Sequence, residues 1–306
     1  MKSAPFAAII AARGVVLFDG ALATELERRG ADLSSALWSA RLLIDDPEAI
    51  IAVHLAHLRA GADVISSASY QASRQGFAAL GLDAGQADAL LTRAVELAHE
   101  AVRRHGEPGR LVAASLGPYG AVLADGSEFT GDYALTVAQL VDFHLPRVEA
   151  ALRAGPDLVL FETLPSMAEG EAVAQLAARF PEVAFMASFS AKAKGLSHGE
   201  PFADAVARLD RVPNVIAVGL NCSAPEVIAP LLRTARPARV WLAAAPNSGE
   251  TWHAPSRSWV GTPTRGDDFG ALARSYAEAG ARIIGGCCRT RPEDIAAAKR
   301  ALSMRA

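Results

Sequence analysis

The stretch AGARIIGGCC (residues 279–288) contains a helix end, a short strand and a candidate site. Glycine is the usual residue just past a helix, so Gly280 predicts the end of one. The apolar run Ala281–Ile284 is typical of a strand that is buried on both faces. The same order, a glycine followed at once by a strand, recurs at Gly61 and Gly155. This repeated unit predicts an α/β protein with parallel strands.

Eight such apolar runs alternate with longer amphipathic stretches along the 306 residues. The predicted strands are Val15–Asp19, Asp63–Ser67, Leu111–Leu116, Leu158–Phe161, Val183–Ser188, Val215–Leu220, Arg239–Ala244 and Ala281–Ile284. The predicted helices include Pro47–Ala60, Ala84–Arg104, Tyr133–Ala154, Met167–Ala178, Phe269–Ala279 and Pro292 to about Leu302. This alternation predicts a (β/α)8 TIM barrel, with residues 1–306 as a single domain. The rival is an open doubly wound sheet, but no Gly-x-Gly-x-x-Gly motif supports its dinucleotide-binding version.

Composition narrows the classes of partner. The formal net charge is −3 and there is no basic run, so we expect no nucleic acid partner. No apolar stretch reaches the roughly 20 residues needed to span a bilayer, so we expect no membrane partner. No obligatory protein partner is evident. The apolar segment Ala4–Ala12 leads directly into the first strand, which favours a first helix or a strand-like lid over a signal peptide.

The chain has three cysteines, and two of them are adjacent. This is poor material for a disulfide framework and predicts a metal site or a reactive thiol in a cytoplasmic protein. In a barrel, the residues just past the carboxyl ends of the strands share one rim, where active sites lie. The predicted rim positions are Asp19-Gly20, Ser69-Tyr70-Gln71, Gly117-Pro118-Tyr119, Glu162-Thr163, Asn221-Cys222, Pro246-Asn247 and Gly285-Gly286-Cys287-Cys288. All three cysteines are on it, after strands six and eight, close enough for one metal to bridge them.

The adjacent cysteines need a turn to share a ligand. On a regular strand, Cys287 and Cys288 would point to opposite faces. Past the strand end, Gly285-Gly286 supplies the backbone freedom for both to point to one side. Three sulfur ligands with an open fourth position predict a catalytic Zn²⁺ site. The alternatives are three small buried side chains, or a strained disulfide between the adjacent pair.

These rim segments also resemble the homocysteine S-methyltransferase family, especially its members that use S-methylmethionine or S-adenosylmethionine without cobalamin. The matching segments are FDGALATEL (18–26), SSASYQA (66–72), SLGPYG (115–120), FETLP (161–165), GLNC (219–222), PNSGE (246–250) and GGCCR (285–289). The resemblance covers almost the whole chain, and GGCCR together with GLNC is a pair of motifs specific to this family. Because few residues follow the predicted eighth helix, we expect no cobalamin- and folate-binding modules.

The resemblance implies zinc-dependent transfer of a methyl group from a sulfonium donor to the thiolate of L-homocysteine, which forms methionine. Cys222, Cys287 and Cys288 would be the zinc ligands and the catalytic residues. The substrates would be homocysteine and the sulfonium donor, and the sequence leaves open which sulfonium is used. Two rivals remain: a betaine-dependent enzyme of the same family, and a non-catalytic zinc- or thiol-binding barrel.

The resemblance also implies a substrate site. It points to Asp19 and Glu162 for the ammonium group of homocysteine, and to the amides of Gly20 and Ala21 for its carboxylate, since helix N-termini favour anions. Asn221 would orient a thiolate or the substrate. Other readings stay open: a helix cap for Asp19, an ion pair with a barrel arginine for Glu162 and a turn for Asn221.

The sequence contains two further groups of residues to consider, four aromatic residues and two histidines. Four aromatic residues are candidates to hold a sulfonium by cation–π attraction, although each also suits packing: Tyr70, Tyr119, Trp38 and Trp252. His54 and His57 lie mid-helix and are predicted to be surface or packing residues away from the rim.

Overall fold

Eight parallel strands form one sheet in the computed structural model, which describes residues 3–32, 41–253 and 258–303. Numbered β1 to β8, they are Val16–Leu17, Val64–Ser66, Leu111–Leu116, Leu158–Leu164, Phe185–Phe189, Val215–Asn221, Trp241–Ala245 and Ala281–Ile284. From β2 to β8 each strand pairs with the next, and β8 pairs with β1. A parallel bridge between Phe18 and Val64 joins β1 to β2. The sheet therefore closes, and the predicted (β/α)8 barrel is confirmed.

Helices fill the connections between the strands. The described helices, numbered α1 to α13, are Ala4–Arg13, Leu22–Arg28, Leu42–Asp45, Pro47–Ala60, Arg74–Ala78, Ala84–His105, Tyr119–Leu123, Val137–Leu152, Met167–Arg179, Phe202–Leu209, Pro225–Leu232, Gly266–Glu278 and Pro292–Ser303. The helix predicted from Tyr133 begins at Val137, because Thr136 and Gln139 form a capping box there. Within the described residues, no helix is both long and apolar enough to cross a bilayer.

The repeated helix–glycine–strand unit has a structural reason at the amino-terminal ends of the strands. Gly61 ends α4 with φ of 107°, a conformation that favours glycine. Two residues later, Asp63 Oδ2 accepts a hydrogen bond from Leu17 N at 2.9 Å. Asp157, in the equivalent position, accepts one from Val112 N at 2.9 Å. Each aspartate thus ties the start of its strand to the strand before it.

The N-terminal segment folds as helix α1, as one of the two sequence interpretations expected. Its Phe6 is fully buried and belongs to the apolar cluster that fills the barrel interior together with Val16 and Leu158. Arg13, at the end of α1, pairs with Asp63 at the start of β2. The helix therefore covers the amino-terminal end of the barrel, opposite the rim, and leaves the carboxyl ends of the strands for a site.

His54 is a buried titratable group of the core. It lies on α4 with no solvent exposure, and neither ring nitrogen has a hydrogen-bond partner among the described residues. Burial lowers its pKa from 6.5 to about 3, and the nearby His57 adds a smaller effect in the same direction. The histidine is therefore neutral in the fold, as expected for a packing residue, and it is not at the surface.

We expect His54→Leu to reduce the acid sensitivity of folding. Below pH 6.5 the unfolded chain protonates His54, while the folded chain keeps it neutral to about pH 3. Protonation therefore favours the unfolded state, and the wild type loses stability as the pH falls from 6.5 towards 3. Between pH 7 and pH 5 the linkage amounts to about 2 kcal/mol. Urea unfolding at both pH values should show that the free energy of unfolding falls by about that much more in the wild type than in the variant. An equal loss in both proteins would contradict the assignment.

Candidate active site

The structure brings all three cysteines together at the rim. Cys222 follows β6 directly, and Cys287 and Cys288 follow β8 after two glycines. The three Sγ atoms all lie within 4.8 Å of one another, and those of Cys222 and Cys288 are 3.4 Å apart. All three thiols are free. The cluster is thus the meeting point of two strand ends that are far apart in sequence.

A tight turn after β8 lets the adjacent cysteines face one side. Thr290 donates from N and from Oγ1 to the carbonyl oxygen of Cys287, at 3.0 and 2.6 Å. A Cβ on Gly286 would lie 2.3 Å from Thr290 Oγ1, so no side chain fits there. Cys222 makes its own turn with φ of 48°, which is uncommon for a residue other than glycine. Backbone strain of this kind concentrates at functional sites.

The protonation of the cluster favours cation binding. Hydrogen bonds from Cys222 and Cys287 hold the pKa of Cys288 well below its usual value. The pKa of Cys222 is raised well above its usual value by its hydrogen bonds with Cys287 and Cys288. One thiolate is therefore stabilised by two thiols, and a cation replacing the shared protons would contact three sulfurs. Sulfurs on one tetrahedral zinc lie about 3.8 Å apart, close to the spacing here, so the donor set fits zinc.

Asn221 contacts the cluster from the last position of β6, before the turn. It is the last residue of β6, and its Oδ1 accepts from Thr163 N at 2.8 Å while its Nδ2 donates to Thr163 Oγ1 at 2.9 Å. The same Nδ2 lies 3.7 Å from Cys287 Sγ. The turn itself is made by Cys222. Asn221 therefore connects the end of β4 to one sulfur of the cluster.

Asp19 and Glu162 line one cavity inside the barrel mouth, together with Asn221 and Ser188. Asp19 accepts from Ser66 N at 2.8 Å and from Ser66 Oγ at 3.0 Å. It does not cap a helix, because the N-cap residue of α2 is Ala21 and has no side-chain cap. The cap reading of Asp19 is therefore excluded.

Glu162 is held by hydroxyl and amide groups rather than by an arginine. Its Oε1 accepts from Ser115 Oγ, and its Oε2 accepts from Asn221 Nδ2 at 3.3 Å. Burial raises its pKa to about 7, and the negative charge of the neighbouring cysteine cluster adds to this. Burial also raises the pKa of Asp19 to about 8, with a smaller contribution from Glu162. An ammonium group entering the cavity would lower both values, because an opposite charge favours the ionised form.

The amides of Gly20 and Ala21 have acceptors within the chain. Gly20 N donates to His57 Nδ1 and Ala21 N donates to Thr290 Oγ1, each at 3.3 Å. Burial lowers the pKa of His57 to about 4, which keeps the ring neutral and able to accept. A carboxylate bound here would have to share or replace these two acceptors. The predicted role of the amides stays a prediction.

His57 also corrects one sequence expectation. The ring was predicted to lie away from the rim, but it reaches Gly20 at the end of β1. A Cβ on Gly20 would lie 3.0 Å from His57 Cε1, so the absence of a side chain allows this approach. No periodicity in α4 identifies this contact, because it depends on the rotation of the helix against the barrel.

The aromatic candidates separate into different roles. Tyr119 is a packing residue, with ring centroids 5.3 Å from Tyr133 and 5.0 Å from Phe143. Tyr70 is held by a polar contact, since its hydroxyl donates to Glu128 Oε2 at 2.9 Å. Trp38 and the side chain of Trp252 lie outside the described residues.

A carboxylate ties the loop after β7 to the cysteine turn. Glu250 accepts from Arg289 Nη2 at 3.3 Å, from Arg265 Nη2 at 3.4 Å and from Ser248 Oγ at 2.8 Å. Ser248 N in turn donates to the carbonyl oxygen of Cys288 at 3.0 Å. Glu250 and Arg289 stand in the PNSGE and GGCCR segments, but their pairing could not be read from the sequence.

Several supporting residues lie in the quoted motifs without having been singled out. Ser66, Ser115 and Thr163 belong to SSASYQA, SLGPYG and FETLP, and they bind Asp19, Glu162 and Asn221. What pointed to them in the sequence was their place in segments at the ends of predicted strands. Thr290 and Glu128 lie outside the motifs and had no such signal.

The chain matches one protein family over most of its length. The sequence profile of the homocysteine S-methyltransferase family matches residues 16–302. The homocysteine S-methyltransferase of Escherichia coli strain K12 is 45% identical over 302 residues, covering 96% of this chain and 97% of that protein. Homocysteine S-methyltransferase YbgG of Bacillus subtilis strain 168 is 42% identical over 295 residues, or 92% of each chain.

Solved structures show the same similarity. The metallated form of the homocysteine methyltransferase MmuM from Escherichia coli matches with a TM-score of 0.86 and 42% identity, covering 99% of this chain and 100% of that one. The apo form of MmuM gives a TM-score of 0.77 and 38% identity, covering 97% and 99%. A methyltransferase from Methanosarcina mazei, with a TM-score of 0.57, 13% identity and coverage of 97% of both chains, shares the fold.

Proposed function

The chain belongs to the homocysteine S-methyltransferase family, and we propose that it transfers a methyl group from a sulfonium donor to the sulfur of L-homocysteine with the help of zinc. The donor is S-methylmethionine or S-adenosylmethionine, and the product is methionine. One observation carries the proposal: three free thiols lie within 4.8 Å of one another, beside a cavity that holds two carboxyl groups. Metal and amino-acid binding groups thus meet at one place.

Cys222, Cys287 and Cys288 are the proposed zinc ligands. The metallated form of MmuM supports a metal in this family. When bound, zinc would hold the sulfur of homocysteine as a thiolate. A free thiol, with a pKa near 8.5, is mostly protonated at neutral pH. The chain contributes the orientation of the ligands, through Asn221 and the turn closed by Thr290. We also propose a cytoplasmic location, because thiols that bind metal have to stay reduced.

The cavity is the proposed binding site of homocysteine. Asp19 and Glu162 would receive its ammonium group, and binding would draw both carboxyls into the ionised form. The amides of Gly20 and Ala21 would bind its carboxylate in place of their present acceptors. Since Asn221 contacts both Glu162 and Cys287, the amino-acid end and the reacting sulfur would lie on either side of one side chain.

The proposed step is an in-line displacement. The thiolate sulfur of homocysteine attacks the methyl carbon, and a new carbon–sulfur bond forms as the bond to the sulfonium breaks. The electron pair stays on the leaving sulfur, which becomes a neutral thioether, and the thiol proton of homocysteine passes to solvent on binding. With S-methylmethionine the products are two methionines. The residues of the site act by alignment, which can supply much of the rate enhancement.

The test measures metal content and methionine formation on one purified, reduced sample. We expect about one zinc per chain and methionine formed from homocysteine with one or both sulfonium donors. Turnover should stop on chelation and return with zinc. Formation of methionine from betaine alone would overturn the donor assignment. Bound zinc without turnover from any of the three donors would favour a non-catalytic zinc-binding barrel.

A further inference from the structure

We propose that Glu128 selects a positively charged methyl donor. It lies in the rim connection after β3 and is hydrogen-bonded to Tyr70 of the connection after β2, on the rim side from which the donor has to approach. The inference rests on the proposed function and assigns a residue to the donor half of the reaction. The inner cavity already has two carboxyl groups for homocysteine, and Glu128 is not among the residues that line it.

Two contacts fix Glu128 in place. It belongs to the short 3₁₀ helix Ser127–Phe129, in the connection between β3 and α8. Its backbone packs so closely on α7 that a Cβ on Gly120 would lie 2.4 Å from Glu128 N. From the loop after β2, the hydroxyl of Tyr70 donates to Glu128 Oε2 at 2.9 Å. Within the described residues no hydrogen bond uses Oε1, so that oxygen is available to a ligand.

A short series of contacts connects Glu128 to the sulfurs. The ring of Tyr70 lies against Gly117, just past β3, where a Cβ would be 2.7 Å from Tyr70 Cε2. On β3, Ser115 Oγ donates to Glu162, which is hydrogen-bonded to Asn221. Asn221 in turn reaches Cys287 Sγ. Burial raises the pKa of Glu128, the hydrogen bond from Tyr70 opposes this, and the negative charge of the cysteine cluster adds a smaller increase.

The geometry of the reaction places the donor on this side. In an in-line displacement the leaving sulfur lies opposite the attacking sulfur, with the methyl group between them. Homocysteine enters the inner cavity, which Asp19 and Glu162 line. The sulfonium therefore occupies the rim, where the connection that carries Glu128 runs. A carboxylate at this point favours a cation over a neutral methyl donor through electrostatic complementarity.

The test compares Glu128→Gln with the matched variant Tyr70→Phe, which removes the hydrogen bond but keeps the carboxylate. Each is assayed with S-methylmethionine, a cation, and with methyl iodide, a neutral methyl donor whose leaving group is iodide. We expect Glu128→Gln to raise the KM for S-methylmethionine by about 10-fold or more with little change in kcat. The KM for homocysteine, the zinc content and the rate with methyl iodide should stay as in the wild type. Tyr70→Phe should change the sulfonium KM by less than about threefold.

Other outcomes overturn the inference. An equal loss with methyl iodide would mean that Glu128 acts on the homocysteine sulfur or on the metal. An unchanged sulfonium KM would mean that its charge is not felt by the donor, and equal effects of the two variants would assign the role to Tyr70. Failure of the proposed function is read separately, from the wild type with the sulfonium donors. If Glu128→Gln does not fold, Glu128→Ala takes its place in the same assays. A sulfonium KM of Glu128→Ala equal to that of the wild type would overturn the proposal.

Discussion

Cys222→Ser is expected to abolish methionine formation and to leave little zinc bound. The change replaces one of three sulfur ligands by a hydroxyl, which stays protonated at neutral pH and is a poor zinc ligand. Changing a residue that only orients a metal ligand lowers metal affinity or activity by about 10- to 100-fold. Loss of a ligand should exceed that range. Metal content and the rate of methionine formation on the same sample measure both effects.

The fold should survive the substitution, because serine differs from cysteine by one atom and Cys222 keeps its backbone hydrogen bond to Ala245 O at 3.1 Å. Circular dichroism of the metal-free wild type and variant is therefore the control, and the two should melt together within a few degrees. Added zinc should raise the melting temperature of the wild type and have little effect on the variant. A variant that retains a full complement of zinc and full activity would rule out the three-thiolate site.

The clustering of the cysteines could be predicted because barrel closure fixes the order of the strands. Once eight strands are assigned, the ends of the sixth and eighth are two places apart whatever the loops do. The contact between Tyr70 and Glu128 has no such constraint. It joins two connections that are 58 residues apart in sequence, and their paths depend on short elements with little periodicity, such as Arg74–Ala78 and the 3₁₀ helix Ser127–Phe129.

The end of β4 shows why strand boundaries were harder to predict than strand number. The strand was predicted to end at Phe161, but it continues to Leu164, with a shift of register against β5 between these residues. Thr163 lies within the shift and has φ of 62°. An irregularity of this kind re-aims the neighbouring side chains, as bulges near active sites do. Alternation of apolar residues cannot reveal it, because it breaks the period on which the prediction depends.

Arg147 is the buried residue that holds two rim connections together. It lies on α8 and is 1% exposed. Its guanidinium donates to three backbone carbonyls: Ala72 O at 2.9 Å, Gly117 O at 2.7 Å and Tyr70 O at 2.7 Å. These carbonyls belong to the connections after β2 and β3. One arginine thus fixes the backbone of Tyr70 and, through it, the hydroxyl that binds Glu128.

The charge of Arg147 is balanced inside the protein. Its Nη1 lies 3.0 Å from His144 Nδ1, and His144 Nε2 lies 2.9 Å from Glu169 Oε2. Burial lowers the pKa of Arg147 to about 10, so the guanidinium stays charged at neutral pH. The anionic Glu169 also accepts from Tyr119 N and from the hydroxyl of Tyr133. Removal of the arginine would therefore take a hydrogen bond from each of the three carbonyl oxygens, of which Tyr70 O would keep the one from Gly117 N, and would leave an uncompensated negative charge in the core.

We expect Arg147→Met to lower the free energy of unfolding by about 3–5 kcal/mol, the range typical when one partner of a buried charged network is removed. Methionine retains part of the packing volume, so the loss reports mainly on the hydrogen bonds. Arg153→Met is the matched control, because Arg153 adjoins the same helix but is 56% exposed and pairs with Asp88 at 3.4 Å. Arg153→Met should lower the free energy of unfolding by less than about 1 kcal/mol. Urea unfolding of the metal-free proteins measures both, and equal losses would mean that the buried guanidinium does not stabilise the rim. A large loss for Arg147→Met alone would show that the active-site rim depends on a residue of the outer helical layer.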